Sequence, residues 1–524
     1  MLIVRSSVSL GQNFGLTSGH RSGVRKLFKK ILIANRGEIA VRLIRACHEL
    51  GIIAVAVYSE PDRASLHVLK ADEAYAIGPA PAAESYLNID RILETAKRCG
   101  VDAIHPGYGF LSENASFAKA CGDAAIKFIG PGPASIDLMG SKTRARQQME
   151  KAGVPFVPGT SRGLESLAKA REVAAKFGYP VMLKAAAGGG GKGMRLVAAE
   201  SELASSLDAA QSEAQRAFGS DEVYLEKAIT DPRHIEMQIL ADEHGNCVYL
   251  GERECSIQRR HQKVLEESPS PAVTPEMRRR MGEIAVQAAK AASYSNAGTI
   301  EFLTDSRGDF YFLEMNTRLQ VEHPITELVT GLDLVHLQIR IAAGEKLPFT
   351  QQDIQLRGHA IECRVYAEDP DNNFFPSPGR ISSSIEPSGP GIRVDSGIYP
   401  GWNVGTDYDP LLSKLIAYGA DRPQAIARIR RAVAEYIITG VKTNLSLFSR
   451  ILSDPDFLAG KTDTGYLSRL FRKSPPASSG RNREIAVIAA AIYSALETAN
   501  GKRTPTPTPA SSPWKQAARA EAME

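Results

Sequence analysis

The sequence predicts an α/β protein whose C-terminal lobe is of mixed, α+β type. Three observations lead to this class. Strands and helices alternate from about residue 29, a glycine run stands between two apolar segments, and a mixed segment ends in helices rich in arginine and alanine. Such alternation is typical of a parallel sheet covered by helices. Because a single core stops growing near roughly 250–300 residues, a chain of 524 residues is expected to form several domains.

The composition indicates a globular protein whose basic character is local. The chain is 43% hydrophobic and 23% charged, with a net charge of +4. Residues 1–30 hold six basic residues and no acidic one, which leaves about −2 for the rest. This balance argues against a nucleic-acid-binding surface. The longest apolar run, residues 485–496, is too short to span a bilayer.

Six scattered cysteines without a CxxC pair favour a reducing compartment over disulfides or structural zinc. We therefore predict a cytoplasmic protein. The N-terminal tail contains arginine and no acid, so an organellar transit peptide is an alternative. An unstructured extension and a start codon placed too early are further interpretations of this tail.

The first ordered segment is expected at residues 29–51, with a buried strand, a turn at residues 35–37 and an amphipathic helix. Residues 52–59 and 101–107 supply two further strands. The first turn contains one glycine instead of the G-x-G-x-x-G pattern, which argues against a dinucleotide site.

Residues 185–195, AAAGGGGKGMR, form a glycine run between two predicted strands. The spacing does not fit a Walker A loop, which also requires a following helix. A glycine hairpin can close over a triphosphate with its backbone N–H groups, and Lys184 would add positive charge. A flexible surface loop is the alternative for this stretch taken alone.

The segment around residues 307–308 predicts a β-hairpin that carries opposed acidic residues. A two-residue turn there would pair Glu301 with Glu314 and would place Asn316 and Arg318 on the same face. Opposed carboxylates in substantially buried strands repel each other, and a divalent cation would relieve that repulsion. Two carboxylates and an amide suit Mg²⁺ or Mn²⁺ shared with phosphates. A solvated charged face is the alternative.

Two further segments, residues 252–269 and 316–324, are dense in ionisable groups and lack the apolar stripe of a helix. A binding loop is therefore at least as consistent with them as a solvated helix face. His234 taken alone fits a hydrogen-bonded core histidine.

Several motifs together carry a family resemblance. ILIANRGEIAVR, HPGYGFLSEN, MGSK, GGGGKGMR, DPRHIE, ERECSIQRRHQKVLEE, EMNTRLQVEHPITE and GHAIECRVYAEDP resemble the biotin carboxylase family, the ATP-grasp component of acetyl-CoA, propionyl-CoA and pyruvate carboxylases. The resemblance runs from about residue 28 to 471. It implies an ATP-grasp fold with an N-terminal Rossmann-like parallel-sheet domain, a glycine-lid subdomain and a C-terminal mixed α/β lobe.

The resemblance also implies domain limits. Residues 1–27 would be a basic extension, 28–140 the N-terminal domain and 141–355 the ATP-grasp domain, with the lid at about 156–228. Residues 356–472 would be the C-terminal domain. Residues 473–524 lie beyond the resemblance; Trp514 and an alanine-rich helix suggest a linker and a docking tail, and a disordered tail is the alternative.

The reaction implied by the resemblance uses ATP with two Mg²⁺ or Mn²⁺ ions. Bicarbonate attacks the γ-phosphate to give carboxyphosphate, and the CO₂ released from it is captured by the ureido N1 of biotin on a carrier protein. This is the first half-reaction of an acyl-CoA carboxylase, such as the acetyl-CoA carboxylase of fatty acid biosynthesis, or of a pyruvate carboxylase. The final acceptor is chosen by the transferase, so this sequence does not name it.

The residue roles follow from the same resemblance. Glu322 would be the general base, Arg364 would stabilise the biotin enolate, and Tyr108 and Gly109 would lie beside the biotin pocket. The metals would be held by Glu301, Glu314 and Asn316, and bicarbonate by Lys263, Arg318 and the Val321 backbone. The expected ATP contacts are Lys142, Lys184, Gly190, Gly191, Glu226, Lys227, Ala228, Ile229, His234 and His261.

One expectation concerns the shape of the segment that follows the hairpin. If it stays extended, Arg318 and Glu322 share a face and hold bicarbonate between them. The chain departs from the common family pattern at Ala186 and Ala187, where Ser and Gly are usual, and in EKAI at residues 226–229. Neither change removes a ligand.

The Met-Lys-Met biotin attachment motif does not occur in this sequence. The biotin carrier and the carboxyltransferase are therefore expected as separate polypeptides, with a homodimer of this chain. Two alternatives remain: another ATP-grasp ligase that activates a carboxylate, and a non-catalytic ATP-binding assembly subunit.

Overall fold

The computed structural model describes residues 27–160, 163–186, 194–473, 488–489 and 491–492, and it leaves out the side chains of Lys142 and Phe218. The lid glycines Gly190 and Gly191, nearly all of the basic extension and most of the tail lie outside these residues. The chain divides into two compact units, Met1–Leu467 and Ser468–Glu524.

The N-terminal part forms a five-stranded parallel sheet in the order β3-β2-β1-β4-β5. Its elements are β1 Lys30–Ile33, α1 Gly37–Glu49, β2 Ile53–Ser59, α2 Leu66–Lys70, β3 Glu73–Gly78, α3 Ile89–Cys99, β4 Ala103–His105, α4 Ala115–Asp123, β5 Lys127–Phe128 and α5 Pro133–Gly140. The apolar residues of β1 are fully buried, as expected for a central parallel strand. The predicted parallel sheet is confirmed.

The next part is a small three-stranded sheet in the order β7-β6-β8 with helices packed on it. Before it comes α6 Lys142–Lys151, whose residues Ala145 and Met149 lie in a different core. The elements of the small sheet are α7 Leu167–Phe177, β6 Val181–Ala185, β7 Met194–Val197, α8 Leu203–Phe218 and β8 Val223–Lys227. Strands β6 and β7 pair antiparallel, with Leu183 opposite Arg195. The glycine run thus joins two paired strands, as the sequence predicts.

The third part of the described chain, residues 233–472, contains both strands and helices. Its first elements are β9 Arg233–Ala241, β10 Cys247–Arg259, β11 Gln262–Ser268, α9 Pro275–Ala291, β12 Asn296–Thr304, β13 Phe310–Asn316, α10 His323–Thr330 and α11 Leu334–Ala342. The later strands are β14 His359–Tyr366, β15 Glu368–Asp369, β16 Phe375–Pro376, β17 Gly379–Arg380, β18 Ser383–Ile385, β19 Ile392–Ser396, β20 Asn403–Val404, β21 Leu411–Gly419 and β22 Ile437–Thr439. The last helices are α12 Arg422–Glu435, α13 Leu445–Ile451, α14 Pro455–Leu458 and α15 Tyr466–Arg472.

An eight-stranded antiparallel sheet in the order β13-β12-β9-β10-β11-β14-β21-β19 dominates this part. The sheet continues across the limit predicted at residues 355 and 356, because β11 pairs with β14. The domain limits themselves stay a prediction. Within the described residues, no helix combines the length and the apolar character needed to cross a membrane.

The two faces of this sheet differ in chemistry. On β9, the apolar side chains Ile235, Met237 and Ile239 lie in one core with residues of α9. The alternate residues His234, Glu236 and Gln238 are polar and equally buried, and alternation places them on the opposite face. A polar face without access to water needs internal partners, and these partners build the site.

Candidate active site

Lys263 lies at the centre of the polar face. Its ammonium group is 2.5 Å from Glu236 Oε2, 2.9 Å from Glu301 Oε1 and 2.7 Å from Glu322 Oε1. Burial alone would lower the pKa of Lys263, but the three carboxylates outweigh it and hold that pKa well above its ordinary value. Strands β9, β11 and β12 thus converge with the start of α10 on one cation.

Glu322 is shared by two cations. It is the residue before α10, it is fully buried, and its second oxygen accepts a hydrogen bond from Arg364 Nη2 at 2.9 Å. Burial would raise the pKa of Glu322, yet Lys263 and Arg364 hold it well below its usual range. The carboxylate is therefore ionised at neutral pH, in the form that can accept a proton.

The hairpin of β12 and β13 differs from the prediction in its turn and agrees with it in its central pair. The loop is residues 306–308, closed by a hydrogen bond of 2.9 Å from Asp305 N to Asp309 O, so the expected two-residue turn is wrong. A bulge then shifts the register, so that Phe302 pairs with Phe312 and Glu301 pairs with Glu314. Without the extra residue in β13, regular pairing would place Glu301 opposite Leu313, the residue before Glu314.

Oxygen atoms that can act as metal ligands lie at the base of this hairpin. Glu301 is 4% exposed and accepts from Asn316 Nδ2 at 2.8 Å, while His234 Nε2 lies 2.8 Å from its other oxygen. Glu314 is exposed, in contrast to the substantial burial expected for this pair. The carboxylate and amide oxygens of Glu301, Glu314 and Asn316 fit a hard divalent cation bound together with phosphates.

Arg318 does not share an extended face with Glu322, so that expectation is wrong. The chain bends at Arg318 and turns at Val321 and Glu322 before α10 begins, since Pro324 in the first turn favours a helix start there. Arg318 instead contacts Glu113 Oε2 at 2.8 Å. Burial opposes a rise in the pKa of Arg318, but Glu113 raises that pKa, and the charge of Glu322 is close enough to add to the rise.

A second group of ion pairs surrounds Glu226 on β8. Lys184 Nζ lies 2.6 Å from Glu226 Oε2, and Arg146 Nη1 lies 2.6 Å from Glu226 Oε1. Beyond Glu226, the backbone N–H groups of Lys227 and Ala228 donate to Pro158 and Pro180, and half-buried Ile229 follows. Lys184 and Glu226 are thus in direct contact.

Four other predicted residues, His261, Val321, Tyr108 and Gly109, lie around the cluster. His261 is in the turn between β10 and β11 with φ of 68°, where burial and the charge of His234 lower its pKa. Lys414 contacts both Val321 and Tyr108, because its Nζ donates to Val321 O at 3.0 Å and lies 5.7 Å from the ring centroid of Tyr108. Gly109 follows Tyr108 with φ of 69°.

Several residues of the site were missed by the sequence analysis. Fully buried Arg253 donates to Glu236 Oε1 at 2.5 Å and to Gln238 Oε1 at 2.7 Å. The alternation of polar residues on β9 carried the signal for Glu236. The other missed residues are Glu113, Arg146, Gln238, Glu266, Glu362 and Lys414.

Comparison with known sequences gives matches along almost the whole described chain. Residues 27–136 match "Biotin carboxylase, N-terminal domain", 141–350 match "Carbamoyl-phosphate synthase L chain, ATP binding domain", and 362–469 match "Biotin carboxylase C-terminal domain". The biotin carboxylase of Nostoc sp. is 56% identical over 443 residues, which are 84% of this chain and 99% of that protein. The chain belongs to the biotin carboxylase family.

Other members of the biotin carboxylase family agree with this assignment. A pyruvate carboxylase subunit of Methanothermobacter thermautotrophicus is 54% identical over 85% of this chain and 91% of that protein. A crystal structure of the biotin carboxylase domain dimer of Hydrogenobacter thermophilus 2-oxoglutarate carboxylase, in complex with MgADP, ADP and bicarbonate, has a TM-score of 0.82. That domain is 49% identical over 86% of this chain and 100% of its own length. The predicted family and fold class are confirmed.

Proposed function

We propose that this chain is a biotin carboxylase, a ligase that uses ATP and bicarbonate to carboxylate biotin on a separate carrier protein. The observation that carries the proposal is the position of Glu322. An ionised, buried carboxylate lies between Lys263 and Arg364 and beside the oxygen donors of Glu301 and Asn316. Base, anion-binding cations and a phosphate-metal site are thus adjacent, which is what activation of bicarbonate by ATP requires.

Bicarbonate binding engages Lys263, Arg318 and the Val321 backbone. Once this anion and the triphosphate share the charge of Lys263, that ammonium group holds Glu322 less strongly. The pKa of Glu322 then rises towards the range in which a carboxylate is an effective base. Bicarbonate thereby increases the basicity of the residue that deprotonates it.

The chemistry that follows is balanced by two proton transfers. Bicarbonate gives its proton to Glu322, its oxygen forms a bond to the γ-phosphorus, and the bond to ADP breaks. Carboxyphosphate then gives CO₂ and phosphate, and the phosphate can accept the N1 proton of biotin. N1 bonds to CO₂ while Arg364 stabilises the negative charge on the ureido oxygen.

The remaining residues hold the nucleotide. Lys142, Lys184, His234, His261 and the lid glycines Gly190 and Gly191 contact the phosphates and ribose, while residues 226–229 meet the base. Glu301, Glu314 and Asn316 would hold two divalent cations, which neutralise the charge of the phosphates. Tyr108 and Gly109 border the biotin pocket. The related domain from Hydrogenobacter thermophilus, crystallised with MgADP and bicarbonate, supports this ligand set.

The carrier and the transferase act in trans, and this chain forms a homodimer. The related biotin carboxylase domain from Hydrogenobacter thermophilus, which crystallised as a dimer, supports the homodimer. The domain limits are those derived from the sequence, and the compartment is the cytoplasm. Purified alone, the chain should carry no covalent biotin and should carboxylate a biotinylated carrier. An avidin blot that detects biotin on this chain would contradict the separate carrier.

The acyl acceptor is not assigned, because the similar proteins belong to both a pyruvate carboxylase and a methylcrotonoyl-CoA carboxylase. The test of the function is ADP formation with and without bicarbonate and free biotin. A biotin carboxylase requires bicarbonate and is stimulated by biotin. Another carboxylate ligase would ignore both, and a non-catalytic protein would bind ATP without turnover.

A further inference from the structure

Two buried carboxylates lie directly behind the Arg364 guanidinium group. Glu266 on β11 and Glu362 on β14 are cross-strand partners, and both are 0% exposed. Cross-strand partners project from the same face of a sheet, so the two carboxyl groups are neighbours. Glu266 Oε1 accepts from Arg364 Nε at 2.6 Å. Within the described part of the chain, no group donates a hydrogen bond to Glu266 Oε2 or to either oxygen of Glu362.

Two ionised carboxylates in this position would repel each other, and three buried oxygens would lack donors, which is costly. The charged groups around Glu266 are Arg364, Glu322 and Lys263, and Lys414 also faces Glu362. Burial raises the pKa of Glu266 to about 7, with Arg364 as the main opposing charge. Burial raises the pKa of Glu362 well above its ordinary value. An ionised Glu266 beside a protonated Glu362 resolves the conflict.

We propose that Glu266 is the positioning residue that holds Arg364 in place, and that Glu362 carries the one proton of the pair and shares it with Glu266. The proposal rests on the proposed function, because it concerns the arginine assigned there to biotin. It adds to that function by giving different roles to the two carboxylates that contact Arg364, Glu266 and Glu322.

The two contacts of Arg364 are made through different atoms. Glu266 binds Nε, whereas Glu322 binds Nη2. When Glu322 takes the bicarbonate proton it becomes neutral, and its attraction for Arg364 falls. Glu266 takes no part in that transfer and keeps its charge, because Glu362 already holds the proton of the pair. The guanidinium therefore keeps its orientation while its Nη groups become available to the ureido oxygen of biotin.

The first test compares Glu266→Gln with Glu267→Gln. Glu267 is the next residue on β11, projects from the opposite face, is equally buried, and is paired with Arg422 at 2.7 Å and His359 at 2.7 Å. Both variants lose a buried ion pair, so general destabilisation affects both. We expect Glu266→Gln alone to lower biotin-stimulated turnover at least about tenfold and to raise the KM for biotin. The matched Glu267→Gln variant should keep bicarbonate-dependent ATP hydrolysis without biotin within about threefold of wild type.

The pH profile gives a readout that a merely structural role would not change. Biotin-stimulated turnover of wild type should fall as the pH drops through about 7, because Glu266 takes a proton and loses its charge-assisted bond to Arg364. This step should be absent from the profile of Glu266→Gln. Wild-type biotin kinetics in Glu266→Gln, or equal losses in Glu266→Gln and Glu267→Gln, would overturn the proposal.

Infrared spectroscopy of the full chain tests the shared proton without any activity measurement. Wild type should show the C=O stretch of a protonated carboxylic acid at about pH 8, and Glu362→Gln should lose that band. No such band in wild type would overturn the proposal even if Glu266→Gln failed to fold. Failure of the proposed function would give a different result from failure of this proposal, because the wild type would then show no bicarbonate-dependent ATP hydrolysis.

Discussion

The Lys263 ammonium group lies 2.7 Å from Glu322 Oε1 in the buried interior of the protein. The same ammonium group also contacts Glu301 at 2.9 Å. One lysine therefore links the proposed base to the proposed metal site. An anionic ligand that binds Lys263 weakens the hold of this lysine on both Glu322 and Glu301. Binding of such a ligand therefore affects the proposed base and the proposed metal site together.

The two hairpin glutamates should differ in stability and in metal dependence. Glu301→Gln removes a buried charge from the contacts with Lys263 and His234, so we expect a loss of about 3–5 kcal/mol in the free energy of unfolding. Glu314→Gln relieves repulsion at an exposed position, so stability should hold or rise while the Mg²⁺ requirement increases. Denaturant unfolding and Mg²⁺ titration of ATPase activity measure both effects. An unchanged Mg²⁺ requirement in Glu314→Gln would mean that this residue is structural.

The stability of the protein should depend on pH through Glu38. Burial raises the pKa of Glu38 to about 7, opposed by Lys414, whose Nζ lies 3.2 Å away. A carboxyl with a raised pKa holds its proton more tightly in the folded state. Its contribution to stability is complete below about pH 4.3, the ordinary value, and is lost as the pH rises through about 7.

Glu38→Gln should therefore gain stability relative to wild type between about pH 5 and pH 8, by up to about 3 kcal/mol. Denaturant unfolding at a series of pH values measures this difference. Glu283→Gln, at an exposed position in α9, is the control and should show no such trend. A constant difference between Glu38→Gln and wild type would show that Glu38 titrates normally.

The tail should be separable from catalysis. The family match ends at residue 469, so removal of residues 473–524 should leave biotin-stimulated ATPase activity near wild type. Assembly with the transferase is the property we expect to weaken, as measured by co-purification of the two proteins. If the activity of the isolated enzyme collapsed instead, the tail would be part of the catalytic fold.

The sequence allowed prediction of the features that depend on local pattern. The parallel sheet followed from apolar strands such as residues 30–33, and the pairing of Glu301 with Glu314 followed from a two-residue turn assumed at residues 307–308. That pairing was reached with the wrong turn, because the larger loop and the bulge at Leu313 offset each other. The larger loop has a signal in Gly308, which has φ of 85° at the position where three-residue hairpin loops favour glycine, whereas the bulge at Leu313 has no clear signal in the residues themselves.

Apart from one local error at the start of α10, what could not be predicted depends on partners distant in sequence. The expected extended run from Arg318 to Glu322 did not allow for a helix that begins at His323. The contact of Arg318 with Glu113 joins residues 205 positions apart, and the contact of Arg364 with Glu266 joins two strands of the long sheet. The first contact joins two residues outside the strands and the second follows from sheet order, and both are properties of the whole chain.

The most direct test of the catalytic assignment is Glu322→Gln. The substitution keeps the size of the side chain and one acceptor oxygen, but it replaces the other oxygen by an NH₂ donor and removes the base. Because a general base contributes about 10²–10⁴-fold, turnover with saturating bicarbonate and biotin should fall by roughly two to three orders of magnitude. ATP affinity, measured by calorimetry on the same preparation, should stay within a few-fold of wild type. Turnover within about threefold of wild type, with ATP binding intact, would contradict the role of Glu322 as the base.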